Sequence, residues 1–295
     1  MDMLKARSVL VTGSNRGIGL ELVRQLSEQN EHPEWIFATC RDPEGSRAQD
    51  LKDLAAKHQE VKIIPLEVTD PSSIQAAAAR VTEHLQGAGL NLLINNAGIV
   101  RSSTLESEMP EKMSEVYKNN VIGPMMVSQA FLPLLRRASQ ESPQKGMSCS
   151  KAAIVNMSSG AGSITDLLGW DFGQVINYRC SKTALNMLTR CQSLGYAGDE
   201  ILCIALNPGW VKTDMGSMMP FSVVELPPLP WGRQEQTRSR RRLRWLGSKL
   251  PLRTLHRDQN RHPLLVHRKA NWNGRRRVPQ PAEGLLPLEE PNAEG

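Results

Sequence analysis

Six short apolar segments alternating with helical patterns limit what this chain can fold into more than any other feature. Arg7–Thr12 reads as a buried strand, and Trp35–Cys40, Val61–Val68, Leu90–Asn95, Ala152–Ser158 and Ile201–Asn207 read as further strands. Between them lie stretches with apolar residues at helical spacing. The first runs from the turn at residues 13–19 to about Gln29, with Ile18, Leu22, Val23 and Leu26 on its inner face. The others are Pro43–His58, Pro71–Gln86 (opened by Asp70-Pro71), Pro110–Arg137 and Gln174–Tyr196. Strands alternating with helices predict parallel crossovers, and so an α/β fold with a doubly wound, mostly parallel sheet of six strands.

That pattern stops near Met219, and so does the charge balance. The net charge of +6 resides entirely in residues 220–295, which hold 15 Lys+Arg against 7 Asp+Glu. The same stretch has ten prolines, the block Arg238–Arg244 and the triplet Arg275–Arg277. The expected organisation is a folded domain over 1–219 and a basic, Pro/Arg-rich, largely disordered tail over 220–295, in which only Arg238–Leu250 suits a short helix. A basic tail could bind nucleic acid or an anionic surface; arginine runs also arise from GC-rich sequence, so that partner is not expected. The five cysteines are odd in number and form no Cys-x-x-Cys pair. With no secretory signal before the first strand and no apolar run near the roughly 18 residues of a membrane span, reduced thiols in a cytoplasmic protein are expected. His256, His262 and His267 match no common zinc spacing, and no metal is expected.

The chemistry sits at the ends of the strands. Thr12-Gly13-Ser14-Asn15-Arg16-Gly17-Ile18-Gly19 follows the first strand directly. Glycines there permit a tight turn and bring backbone amides close to a pyrophosphate at the next helix N-terminus. The second strand ends at Cys40-Arg41. An acidic residue near this point would bind the ribose 2′-hydroxyl of NAD, whereas arginine suits a 2′-phosphate. Arg41, with Arg16 inside the turn, therefore favours NADP(H). Tyr178 and Lys182, four residues apart on one helix face, form a phenol beside an ammonium. That arrangement is expected to lower the tyrosine pKa from its reference of about 10 and make a proton donor.

Taken in order, Thr-Gly-x-x-x-Gly-Ile-Gly, Asn95-Asn96-Ala97-Gly98 and Tyr178-x-x-x-Lys182 resemble the short-chain dehydrogenase/reductase superfamily, whose fold is of the Rossmann type. Gly123-Pro124 after Asn120, Tyr178-Arg179-x-Ser181-Lys182 and Asn207-Pro208-Gly209-Trp210-Val211 resemble its C-factor/sniffer-like carbonyl reductase branch, over about residues 5–219. The resemblance implies Tyr178 as proton donor and Lys182 as the group that holds the nicotinamide ribose. Ser159 would bond the developing oxyanion, with Ser158 competing, and Asn120 would hold a water linking Lys182 to solvent, with Asn119 competing.

The implied NADP(H) set is Gly13, Asn15, Arg16, Gly17, Ile18 and Gly19, then Arg41, Glu67 and Val68, then Asn95, Ala97 and Gly98. It is completed by Tyr178, Lys182, Pro208, Gly209, Val211 and Thr213. Glu67 departs from the family's usual Asp. The stretch Gly160–Gly173 carries Leu167, Leu168, Trp170 and Phe172, which suits a hydrophobic carbonyl or alcohol substrate. The resemblance suggests a homodimer through the helices near 110–137 and 174–196. Nothing after Met219 resembles the family's last helix and strand, as if the ending came from an alternative exon or a shifted frame. The reading is therefore an NADPH-dependent carbonyl reductase. The alternatives are a variant whose altered ending leaves at most NADP(H) binding, or a scaffold for the basic tail.

Overall fold

The computed structural model describes residues 4–167 and 169–209 together with Val211, Thr213 and Met215. The tail, with its expected disorder, basic helix and missing final strand, lies outside the described residues, as do Leu168 and Trp210.

Six strands form one parallel sheet in the order β3-β2-β1-β4-β5-β6. They are β1 (Ser8–Thr12), β2 (Trp35–Cys40), β3 (Val61–Pro65), β4 (Leu92–Asn95), β5 (Ala153–Met157) and β6 (Leu202–Leu206). The helices are α1 (Gly17–Ser27), α2 (Gln49–Lys57), α3 (Pro71–Leu85), α4 (Pro110–Tyr117), α5 (Gly123–Glu141) and α6 (Ile176–Gly195). Residue parity sorts the two faces. Val9, Val11, Ile36 and Ala38 pack with Leu22, Val23 and Leu26 of α1 and Leu51 of α2. Leu10, Phe37, Leu93 and Ile154 pack with Ile74 and Val81 of α3 and Val127, Phe131 and Leu135 of α5. Each central strand is buried on both sides, which is why the sequence shows apolar runs rather than alternation. The doubly wound expectation holds. Strand order reverses between β1 and β4, and ligands of such sheets bind outside the carboxyl ends of the strands at that switch point.

Element ends differ from expectation for local reasons. The second helix begins at Gln49, after a 3₁₀ turn at Ser46–Ala48, rather than at Pro43. The Asp42 carboxylate accepts the amides of Glu44 and Gly45 at 3.2 and 2.9 Å and holds residues 42–45 in a turn. β3 stops at Pro65 because the chain turns at Glu67–Asp70, where the Asp70 amide donates to the Glu67 carbonyl at 3.1 Å. Asp70 then caps α3 by accepting from the Ser72 amide at 3.0 Å, with Pro71 in the first turn. The long helix expected over 110–137 is broken by a π-helical turn, Lys118–Ile122. Pro124 lacks an N–H, so it cannot donate to the Asn120 carbonyl four residues back and the α ladder is interrupted there. The helices expected to carry a dimer contact correspond to α4 with α5 and to α6; of these, α4 and α6 leave Met113, Tyr117, Met187 and Leu194 exposed. No helix among the described residues is long and apolar enough to cross a membrane.

Candidate active site

The glycine turn closes against the end of β4. Gly13 and Gly17 adopt φ of +67° and +55°, a region that favours glycine. Asn96 donates its amide to the carbonyls of Thr12 and Gly13 at 2.9 and 3.1 Å, and the Ala97 N–H donates to the Thr12 hydroxyl at 2.9 Å. A Cβ on Gly19 would lie 2.1 Å from the Gly13 carbonyl oxygen. Arg16, the N-cap of α1, makes no side-chain cap bond, so the first amides of α1 suit an anion. Gly19→Ala is therefore expected to lower stability by about 1–3 kcal/mol and to abolish the rise in melting temperature that NADPH gives. Thermal unfolding with and without NADPH checks it; an unchanged midpoint and unchanged ligand response would show that the turn tolerates the methyl group.

Beside the turn, Asn15, Arg16, Arg47 and Asp50 line a cavity of about 320 Å³. Arg47 was missed in the sequence. It stands on the 3₁₀ turn, anchored by the buried Ala48 next to it and by the Asn15 amide, which donates to the Arg47 carbonyl at 3.4 Å. Its spacing from Arg41 carries no periodic signal, because the intervening Asp42 turn decides where it lies. Arg41 does not line this cavity. Its Nε lies 3.4 Å from the Glu67 carboxylate, whose other oxygen accepts from the Thr69 amide and hydroxyl at 3.1 and 3.0 Å. The departure from Asp to Glu thus gives residue 67 the reach to hold Arg41. Val68, at the same strand end, is buried against Gly123.

Asn95 is buried in the core, donating to Asn156 Oδ1 at 2.8 Å and Ser128 Oγ at 3.1 Å. Its side chain steadies β4 and does not line the crevice. Gly98 sits by Asn120 and Lys182: a Cβ there would lie 3.2 Å from Asn120 Oδ1 and 3.7 Å from Lys182 Nζ. Gly209, at φ +77°, follows Pro208 after β6. Thr213 is brought over the glycine turn, its Cγ2 3.2 Å from where a Gly17 Cβ would be; Val211 lies between Gly209 and Thr213.

Tyr178 and Lys182 project from the first two turns of α6. Ser159, just beyond β5, accepts from the Ala161 amide at 3.2 Å and stands beside the Tyr178 phenol, whereas Ser158 is buried and donates to Asn186 at 2.7 Å. Burial pushes the Tyr178 phenol above its ordinary pKa, opposed by Ser159 beside it. The expected lowering by Lys182 is replaced by this rise, since desolvation is the larger effect; the ammonium lies over the ring, 5.4 Å from its centroid, and donates to the Met157 carbonyl at 2.7 Å. Burial depresses the Lys182 pKa to about 8. The Asn120 side chain is already engaged: Oδ1 accepts from the Ile99 amide at 2.9 Å, and Nδ2 donates to the Ile99 carbonyl and Ser181 Oγ at 2.9 and 3.0 Å. Asn119 points elsewhere, to the Glu115 carbonyl at 3.0 Å. Among the described residues no group of His, Cys, Asp and Glu could hold a metal ion.

A doubly wound sheet, a glycine turn at its switch point and a Ser–Tyr–Lys group beside it define a dinucleotide-dependent oxidoreductase fold. Residues 7–220 match the short chain dehydrogenase family, and the chain belongs to it. Similar solved structures include an NADPH-bound carbonyl reductase from chicken fatty liver, at 61% identity over 77% of this chain and 84% of that one, with a TM-score of 0.75. Carbonyl reductase Sniffer of D. melanogaster is 37% identical over 73% of this chain and 86% of that one, with a TM-score of 0.68. An uncharacterised oxidoreductase of Schizosaccharomyces pombe is 33% identical over 208 residues, 70% of this chain and 74% of its own length. The resemblance to the carbonyl reductase branch is borne out.

Proposed function

We propose that the chain is an NADPH-dependent carbonyl reductase acting on apolar aldehydes or ketones, reversible to alcohol oxidation. The observation that carries this reading is Lys182 buried over the Tyr178 ring, 5.4 Å from its centroid, with Ser159 beside the phenol at the carboxyl end of β5. The residues present fit the cofactor. The glycine turn is a cradle that a Cβ would fill, and the cavity beside it presents Arg16 and Arg47 to a phosphate. Bound NADPH supplies the hydride; the chain supplies position, polarity and the proton. Tyr178 gives its proton to the carbonyl oxygen, and Ser159 donates a hydrogen bond to the same atom as charge develops there. Burial, by raising the Tyr178 pKa, keeps that proton in place at neutral pH. Lys182 holds the nicotinamide ribose. With the Asn120 side chain engaged on Ile99 and Ser181, a water toward Lys182 would be held by the Asn120 main-chain carbonyl. The loops after β4 and β5 expose Leu105, Met109, Ile164 and Leu167, which suits an apolar substrate. All five cysteines are unpaired, which suits a cytoplasmic setting.

The reading is tested by following NADPH loss with the purified chain and a panel of aromatic and aliphatic carbonyl compounds, against NADH. Carbonyl-dependent consumption favouring NADPH is expected, and consumption of neither cofactor would refute it. Arg47 sharpens the test. A charge-assisted contact is worth about 1.5–3 kcal/mol, so Arg47→Glu should weaken NADPH binding roughly 10–100-fold and leave NADH binding nearly unchanged. Arg41→Glu should do less, because Arg41 is tied to Glu67. Titration with 2′,5′-ADP and 5′-AMP separates the phosphate contribution; equal losses for both ligands in Arg47→Glu would remove Arg47 from the phosphate site.

A further inference from the structure

The helix that carries Tyr178 and Lys182 begins under strain. Val175, its N-cap, has φ of +37° and makes no side-chain cap bond. A β-branched residue in the left-handed region is a genuine outlier, and such geometry persists only where its surroundings over-determine it. Here the surroundings come from the opposite wall of the crevice, 69 residues earlier in the chain. Glu108 Oε2 accepts both the main-chain amide and the side-chain amide of Asn177, at 2.9 and 2.8 Å. Its Oε1 accepts the Met109 amide at 3.1 Å. Asn177, itself buried, also donates to Ser103 Oγ at 2.9 Å. Val175 donates its amide to the Ser103 carbonyl at 3.0 Å, and the Leu105 amide donates to Gln174 Oε1 at 2.8 Å. From within α6, Arg179 donates to the Gln174 carbonyl at 2.7 Å and lies over the Trp170 ring.

These contacts have one centre. A helix start leaves amides without intrahelical partners, and an acid there is also favoured by the helix dipole. Glu108 meets both needs from another segment. Desolvation opposes its ionisation, but hydrogen bonds from Ser103, Met109 and Asn177 outweigh it and hold the carboxyl below its ordinary pKa. The residue after Asn177 is Tyr178, so any loosening of the first turn moves the phenol. We infer that Glu108 is a positioning residue for Tyr178: it caps the catalytic helix from the opposite wall and locks the loops after β4 and β5 to each other. Its kinetic consequence rests on the reductase reading; its structural consequence does not.

The test uses the full chain with Glu108→Ala and Glu108→Gln, at a temperature well below each variant's melting point. Misplacing a reacting group by about 1 Å can reduce rate by 10²-fold, so Glu108→Ala should lower kcat at least about tenfold and raise KM for the carbonyl compound. NADPH affinity should stay within about twofold of the parent, because the glycine turn and cation-lined cavity are untouched. Amide hydrogen exchange at Asn177, Tyr178 and Arg179 should accelerate. Glu108→Gln keeps an acceptor for the Asn177 amide and should recover part of both effects; it also decides the matter if the alanine variant does not fold. Unchanged kcat, KM and exchange would overturn the inference. So would a parallel loss of kcat and NADPH affinity, which marks general destabilisation. If the parent chain turns over no carbonyl compound, the reductase reading fails and exchange alone decides: unchanged exchange at those three amides overturns the cap.

Discussion

Tyr178→Phe is expected to leave NADPH binding intact and to reduce carbonyl turnover by about 10²–10⁴-fold, the range associated with a positioned general acid. The substitution deletes one hydroxyl and keeps the ring. The ring is what Lys182 lies over, at 5.4 Å from the centroid, so the ammonium keeps its place and its bond to the Met157 carbonyl. The hydroxyl is what Ser159 stands beside, so the loss falls on the atom that gives up the proton. The glycine turn and the cavity at Arg16 and Arg47 stand apart from that hydroxyl, so the NADPH-induced rise in melting temperature should be preserved. Measuring kcat and that rise side by side checks the prediction. Turnover retained in the phenylalanine variant would place the proton donor elsewhere, and a lost thermal response would show that the hydroxyl supports cofactor binding. The raised phenol pKa also sets a direction. Reduction needs the protonated form and should be supported through neutral pH, whereas alcohol oxidation needs the proton removed and should gain as pH rises.

What the sequence revealed divides along a physical line. Features dictated by one short stretch were legible. The glycine turn could be read because positive φ at residues 13 and 17 and the contact at residue 19 restrict side chains within eight residues. Tyr178 and Lys182 could be paired because a helix fixes what lies four residues away. The sheet could be read because strands buried on both faces are largely apolar rather than alternating. Features that depend on chain closure were not legible. Arg47 enters the cavity only because Asp42 bends residues 42–45. Glu108 reaches α6 only because β4 and β5 are neighbours in the sheet. Asn120 was found through the family resemblance, yet the structure engages its side chain with Ile99 and Ser181.

Lys182→Met should abolish most turnover and yet raise the melting temperature of the protein in the absence of ligand. Lys182 is 4% exposed, its ammonium donates to the Met157 carbonyl, and among the described residues it forms no ion pair. Burial lowers its pKa from the 10.5 of a free lysine to about 8. Between about pH 8 and 10.5 the folded chain binds fewer protons than the unfolded chain, so stability rises with pH through that window. Below about 8 both states carry the charge and the fold bears the full penalty, on the order of 3 kcal/mol at about 1.4 kcal/mol per pH unit. Methionine fills much of the same space without a charge to desolvate. The expected gain is several degrees in melting temperature for a domain of this size, and the rise of stability between pH 8 and 10 should flatten in the variant. Thermal unfolding of both proteins across that pH range provides the check. In the parent, carbonyl reduction measured as kcat/KM should fall above about pH 8, as Lys182 loses the proton that lets it act as a cation beside Tyr178. A variant that melts lower than the parent at neutral pH would show instead that the ammonium, through the Met157 carbonyl, is a net support of the fold. The predicted opposition between stability and turnover is what a site should show when it keeps a buried charge for chemistry rather than for folding.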